Sequence, residues 1–167
     1  MPATSADVPV STPALDRFLA CSNILATHRI SAFTPDPNPE ARAYSGCSYV
    51  LTGPDGLSTR TVFRAAKVTP TKAGLFVTLW QRGTDGETRP YALTDDVETF
   101  IVWTATAAGC GYFRFPAGAL AENGILSGVT RPGKRGFRIY TPWDRNLNAN
   151  ASRTWDWQRS YFTIASG

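Results

Sequence analysis

Between residues 44–52 and 57–68 stands Gly53-Pro-Asp-Gly56, a tetrad that leaves the chain little alternative to an antiparallel hairpin. Both flanking runs are rich in β-branched and aromatic residues, and a Pro-Asp-Gly turn between such runs reverses the chain within four residues. A third strand is expected over residues 75–82, turned at Gly83-Thr-Asp-Gly86. Residues 99–104 and 111–115 read as a fourth and fifth strand around Ala107-Ala-Gly109, and residues 137–140 as a short sixth.

Helical spacing is confined to three places. Ser11 or Thr12 caps a first helix that carries Pro13 in its first turn and Leu15, Phe18, Leu19, Ser22 and Leu25 at three- and four-residue steps, to about Thr27. Residues 116–122 form a short helix ending at Asn123-Gly124, and residues 152–164, with Trp155, Gln158 and Phe162 in helical register behind a Ser152 cap, form a closing one. Three prolines in Thr34-Pro-Asp-Pro-Asn-Pro-Glu40 forbid regular hydrogen bonding, so a stiff loop is expected there. This order predicts an α+β domain, a mixed five- to six-stranded sheet flanked by helices.

A chain of 167 residues, 43% hydrophobic and 18% charged, suits one domain with a real core, expected over residues 12–167. Residues 1–11, mostly Pro, Ser, Thr and Ala, read as a flexible tail. No apolar run approaches membrane-spanning length and the N-terminus lacks the basic start and apolar stretch of a signal peptide, so a cytoplasmic protein off the membrane is expected. Cys21, Cys47 and Cys110 have no C-x-x-C spacing, which argues for small buried hydrophobes rather than a metal site or a disulfide framework. With His28 the only histidine, multi-imidazole metal sites are excluded.

Charge is segregated along the chain. Residues 57–84 carry Arg60, Arg64, Lys67, Lys72 and Arg82 without an acid, and residues 123–143 carry Arg131, Lys134, Arg135 and Arg138 without one. The acids concentrate between them, at Asp85, Glu87, Asp95, Asp96 and Glu98. Two basic segments flanking an acidic one predict a polarised surface. In the third strand, alternation sends Leu75, Val77 and Leu79 to the core and Phe76, Thr78, Trp80 and Arg82 to the opposite face. Rings and cations together, beside Lys67 and Lys72, are what a nucleic-acid groove requires.

Gly128-Val-Thr-Arg-Pro-Gly-Lys134 imitates the start of a phosphate-binding P-loop but continues with Arg135 in place of Ser or Thr, and a strand follows instead of a helix. A Gly-rich basic loop remains, whose amides and cations suit phosphates without nucleotide hydrolysis. Pro54-Asp55 with Lys67 imitates a metal-dependent nuclease, Pro-Asp followed downstream by Asp/Glu-x-Lys, but the second acid is replaced by Ala65. An unbroken strand would also hold Asp55 about 40 Å from Lys67 at roughly 3.3 Å per residue. Glu40, Asp95 and Asp144 are the carboxylates left to fold near Lys67.

Phe63-Arg-x-Ala-Lys-x-Thr-Pro-x-Lys-x-Gly-x-Phe-Val-Thr-Leu-Trp-x-Arg82, Gly111-Tyr-Phe-Arg-Phe-Pro116, Gly133-Lys-Arg-Gly-Phe-Arg-Ile-Tyr140, Pro142-Trp-Asp144 and Trp157-Gln-x-x-Tyr-Phe162 resemble the MepB family in order and spacing. Glu40-Ala-Arg-Ala-Tyr44 fits a Glu-x-x-x-Tyr element of that family before the first strand. The resemblance implies a restriction-endonuclease-like core, and for such a fold nucleic-acid binding is the working expectation. The reading that follows is a DNA-binding protein without cleavage activity, metal or other cofactor. Lys67, Lys72, Arg82, Lys134, Arg135 and Arg138 would hold phosphates, with Trp80 and Trp143 shaping the groove. The alternatives are an Mg²⁺-dependent nuclease using Glu40 with Asp144 or Asp95 while Lys67 stabilises the leaving charge, and a pocket for a phosphorylated small molecule such as a nucleotide.

Overall fold

The computed structural model describes residues 12–165; the tail expected over residues 1–11 lies outside them. Helix α1 (Pro13–Ser22) begins where the Thr12 hydroxyl accepts the Leu15 amide and stops at Asn23, which adopts the left-handed conformation. It is shorter than its periodicity suggests, because the chain tightens into a 3₁₀ turn at Ile24–Ala26 and then extends. Strand β1 (Arg29–Pro35) follows, then helix α2 (Pro39–Arg42), β2 (Cys47–Thr52) and β3 (Ser58–Ala65). The Gly53–Gly56 turn closes the β2/β3 hairpin with the expected antiparallel register, Cys47 opposite Phe63 and Thr52 opposite Ser58.

Strands β4 (Lys67–Val68), β5 (Leu75–Thr78), β6 (Trp80–Arg82) and β7 (Thr88–Pro90) come next, then β8 (Thr99–Thr106) and β9 (Gly109–Pro116). Helix α3 (Ala117–Glu122), β10 (Gly136–Ile139), helix α4 (Ala149–Gln158) and β11 (Phe162–Ile164) complete the chain. The main sheet has six strands in the order β1-β2-β3-β8-β9-β11, mixed because β3 and β8 run parallel while the other neighbours are antiparallel. A parallel pair needs a crossover. Here residues 66–98 supply it, and they form strands and one 3₁₀ turn (Leu93–Asp95) instead of an α-helix: β4 and β5 join β10 in a three-stranded sheet, and β6 and β7 form a ribbon.

Period-2 alternation sends side chains of the central strands to opposite faces. On one face Phe63, Ile101 and Trp103 meet Leu15 and Phe18 of α1, with the Phe18 ring 5.6 Å from Phe63 and 5.0 Å from Tyr112. On the other, Val62, Phe100, Val102, Phe113 and Phe115 meet Leu75, Val77, Phe137 and Ile139 of the second sheet, Leu120 of α3, and Trp155 and Trp157 of α4. The architecture is α+β, with α1 covering one face of a mixed sheet and a smaller sheet with α3 and α4 covering the other. No helix of the described residues is long and apolar enough to cross a membrane.

Three local expectations are corrected. Residues 34–40 are not wholly loop: Thr34 and Pro35 end edge strand β1, where a proline costs no ladder bond, and Ala32 takes a positive φ at an irregularity between Ser31 and Thr34. The strand expected over residues 75–82 breaks at Leu79 into β5 and β6, since Gly136 ends the ladder opposite Thr78 and Trp80 pairs instead with Pro90. The closing helix is capped by Asn148, not Ser152, and ends at Gln158. Residues 162–164 then pair with β9, where Gly111 leaves room for the Phe162 ring; a Cβ there would lie 2.3 Å from it. Cys47 is buried, and burial pushes its thiol up to about 12; Cys21 and Cys110 are half-buried, and all three are free.

The largest fully buried side chain is Arg64, on the same face of β3 as Val62. Its guanidinium donates to the Phe63 carbonyl at 2.9 Å and to the Asp36 carboxylate at 2.9 Å, and its Nε has no partner among the described residues. Asp36→Ala should therefore destabilise the protein by about 3–5 kcal/mol, because it strands a buried cation. Arg64→Met, which removes the cation and keeps an apolar stem, should cost less. Urea unfolding of both variants measures the difference, and equal losses would contradict this account.

Candidate functional site

The outer face of the three-stranded sheet is set by its register. Lys67 on β4 lies opposite Phe76 on β5, and Phe76 lies opposite Arg138 on β10. Directly opposed residues share a face. Lys67, Phe76 and Arg138 therefore form one transverse row, with β4 and β10 about 10 Å apart across β5. The Lys67 ammonium sits 4.5 Å from the centre of the Tyr44 ring, a cation–π contact that orients an otherwise exposed side chain. Gly136 makes room for Phe76, whose ring would lie 2.6 Å from a Cβ at that position.

Residues 69–74 turn tightly between β4 and β5, and two charged side chains hold the turn. The Arg138 guanidinium donates to the Ala73 carbonyl at 3.2 Å and to the Thr69 hydroxyl at 2.5 Å. Gly74 takes φ +77°, and a Cβ there would lie 2.5 Å from the Ile139 carbonyl oxygen, so only glycine suits this approach of turn to strand. The Gly74 amide donates to Asp144 at 3.1 Å, while the second oxygen of that carboxylate accepts the Thr141 amide at 2.7 Å and the Thr141 hydroxyl at 3.1 Å. On the far edge of β10 the buried Gln158 stands in for a neighbouring strand. It accepts from the Tyr140 amide and donates to the Arg138 carbonyl, each at 3.0 Å.

Three cavities adjoin around this framework. The first, about 360 Å³, lies between β10 and α4 and is lined by Phe76, Lys134, Arg138, Tyr140 and Trp157 among others. The second, about 560 Å³, is lined by Lys72, Arg138 and the amides of Asn146, Asn148 and Asn150, and it shares Arg138, Tyr140 and Thr154 with the first. No carboxylate lines either one. The third, about 490 Å³, shares Lys72 and Ala73 with the second and reaches Trp143 and Asp144. The result is a trough along which Lys134, Arg138, Lys72 and Trp143 follow one another.

Of the residues expected to act together, Lys67, Lys72, Lys134 and Arg138 come to this one side. The others do not. The Arg135 guanidinium turns to Thr88, donating to its carbonyl at 2.7 Å and its hydroxyl at 3.1 Å. Trp80 and Arg82 belong to the β6/β7 ribbon, where Arg82 lies 5.7 Å from the Trp80 ring centre and donates to the Gly86 carbonyl at 2.7 Å and to Asn38 at 3.3 Å. Arg82 lines a separate cavity with Asp36, Asn38 and Tyr91. Trp143 lies against Gly109 and 6.0 Å from Phe162, at the opposite end of the trough from Lys134.

The Gly-rich loop is pinned from within. Its Gly133 amide donates to the Ser127 hydroxyl and its Lys134 amide to the Ile125 carbonyl, both at 2.9 Å, so those amides are not directed at a ligand. The carboxylates left for a metal do not assemble. Both oxygens of Asp144 are engaged as described, and Asp95 accepts from Gln81 and from the Ala92 amide, each at 2.6 Å. Glu40 is exposed on α2, one turn before Tyr44. Among the described residues no three potential metal-ligating side chains cluster. Sequence reasoning missed Asn146, Asn148, Asn150, Tyr140 and Gln158. Asn148 is legible as a helix cap, but nothing local in the sequence says that it faces a cavity.

A model of the family described as MepB-like matches residues 38–164. The chain is also similar to a solved structure, the crystal structure of MepB, at 30% identity over 81% of this chain and 86% of that one, with a TM-score of 0.72. No curated protein matches it.

The trough depends on Asp144 as a brace. Asp144→Ala should lower stability by about 1.5–3 kcal/mol, the worth of hydrogen bonds to a charged group. It should also release residues 69–74, seen as faster amide hydrogen exchange at Gly74. A variant with wild-type stability and protection at Gly74 would refute the brace.

Proposed function

This chain belongs to the MepB-like family, and we propose that it is a cytoplasmic DNA-binding protein that does not cleave its ligand. The observation that carries this reading is the acid-free lining of the first two cavities, where Lys134, Arg138 and Lys72 succeed one another beside the amides of three asparagines. Lys67 extends the same positive face through the Phe76 row. A string of cations without a competing carboxylate favours a polyanion, and binding to DNA draws its free energy from the counterions that such a string displaces.

The engagement of Asp95 and Asp144 in backbone contacts speaks against a catalytic metal centre, as does Ala65 in the position of the missing acid. Two-metal phosphodiester chemistry requires convergent carboxylates around the scissile phosphate. Lys67 alone does not supply that chemistry, and among the described residues no cluster of three metal-ligating side chains stands with it. A small phosphorylated ligand is the competing reading that the concave form of the trough favours.

If Lys67, Lys72, Lys134 and Arg138 meet phosphates, log K against log salt should fall with a slope of about −3 to −4. Lys134→Ala and Lys72→Ala should each make that slope shallower by about one. Fluorescence anisotropy on a labelled 20-mer between 50 and 300 mM salt measures both, in parallel with gel analysis of the same DNA after incubation with Mg²⁺ or Mn²⁺. Intact DNA and the steep slope are expected. Cleavage lost in Lys67→Ala would establish a nuclease instead, and tight mononucleotide binding without DNA binding would favour the small-ligand reading.

A further inference from the structure

The three adjoining cavities differ in their walls, and the difference has a chemical sense. The first is walled by rings, with Phe76, Phe137, Tyr140 and Trp157 around it. The second offers Asn146, Asn148 and Asn150. The third again offers a ring, the indole of Trp143, together with the Asp144 carboxylate, whose two oxygens are taken up by Gly74 and Thr141. At each boundary between cavities stands a cation, Arg138 between the first and second and Lys72 between the second and third. Lys134 lines the outer cavity on the other side of Arg138.

A single nucleic-acid strand has the complementary alternation, base then phosphate then base. In duplex DNA the bases are stacked and paired, and cannot enter concavities on a protein surface without being unpaired. A duplex could therefore reach only the rim cations and would leave the rings and amides unused. We infer that the trough takes an unpaired DNA strand. One base occupies each cavity, and phosphates lie at the Arg138 and Lys72 boundaries. This rests on the DNA-binding reading above and sharpens it. Each volume suits one nucleotide, since small-molecule sites run from roughly 300 to 1,000 Å³. Stacking on Phe76 and Trp143 is indifferent to base identity, whereas the asparagine amides of the middle cavity can hydrogen-bond to a base edge, so any sequence preference should be confined to one nucleotide.

The test is anisotropy at 100 mM salt with a labelled, hairpin-free DNA 12-mer, its blunt duplex and the same sequence as RNA. The DNA strand is expected to bind at least tenfold tighter than the duplex and no weaker than the RNA. Phe76→Ala should lower single-strand affinity by about fivefold or more, as loss of one stacked base predicts, and change duplex affinity less than twofold. Phe76→Leu keeps an apolar side chain on the sheet while removing the ring, and should give the same selective loss if the alanine variant unfolds. Equal affinity for strand and duplex, with both lowered by Lys72→Ala, would overturn the unpaired-strand inference and leave DNA binding standing. Tighter binding of RNA would overturn the assignment to DNA. Absence of binding to all three would fell the DNA-binding reading itself.

Discussion

A guanidinium buried to 1% exposure is the least expected object in this core, and much of the fold is arranged around it. Arg64 projects from the C-terminal end of β3, an inner strand of the main sheet, into the face that carries Val62. Desolvating a cation is costly unless a charge and hydrogen bonds compensate. Asp36 supplies the charge, and it does so from the proline-rich stretch between β1 and α2. The ion pair thus ties residues 36–38 to the central sheet, and Asp36 in turn accepts the Asn38 amide at 2.9 Å just ahead of the helix. Burial beside this pair also shapes its neighbours: it raises the Tyr91 hydroxyl and the Cys47 thiol more than the nearby guanidinium lowers them, so both stay neutral. The pair adds geometry more than net stability, since it joins segments 28 residues apart in a defined orientation.

From the parallel pairing of β3 with β8 comes the second organising constraint. A crossover must leave one end of the sheet and return at the other, and in this protein it is built of strands that recruit β10 from far down the chain. The recruited sheet has one apolar face, which closes the core, and one face left outward. On that outward face the register alone assembles Lys67, Phe76 and Arg138. Because Gln158 satisfies the open edge of β10 and Asp144 holds the turn at residues 69–74, the row and the cavities beside it rest on rigid backbone. Arg138 has a double part, holding that turn through Thr69 and Ala73 while facing two cavities.

Charge segregation acquires its meaning only through this assembly. The two acid-free segments, residues 57–84 and 123–143, are distant in sequence yet pair through β5 and β10, so their cations meet. The acidic stretch between them is spent in other ways: Asp95 accepts the Ala92 amide, Asp85 accepts the Glu87 amide in its turn, and Glu98 accepts the Arg60 amide. None of these three carboxylates lines the trough.

What could be read from sequence was whatever short-range physics decides. The Gly53–Gly56 hairpin, the inward face of Leu75, Val77 and Leu79, and the cap of α1 each follow from residues within a few positions of one another, and each is present as read. The association of Lys67, Lys72, Lys134 and Arg138 was legible as a charge pattern, though not as a groove. Long-range pairing decided the rest. Whether residues 162–164 continue a helix or join a sheet depends on an open edge of β9 and on Gly111, fifty residues away. Whether residues 75–82 form one strand or two depends on where β10 runs out. Arg135 and Arg138, three positions apart, part company because strand alternation and nearby acceptors send one to Thr88 and the other to Thr69. Local sequence settles which conformations a segment can adopt cheaply, but only the tertiary structure decides which partners are within hydrogen-bond reach, and in this protein those partners make the site.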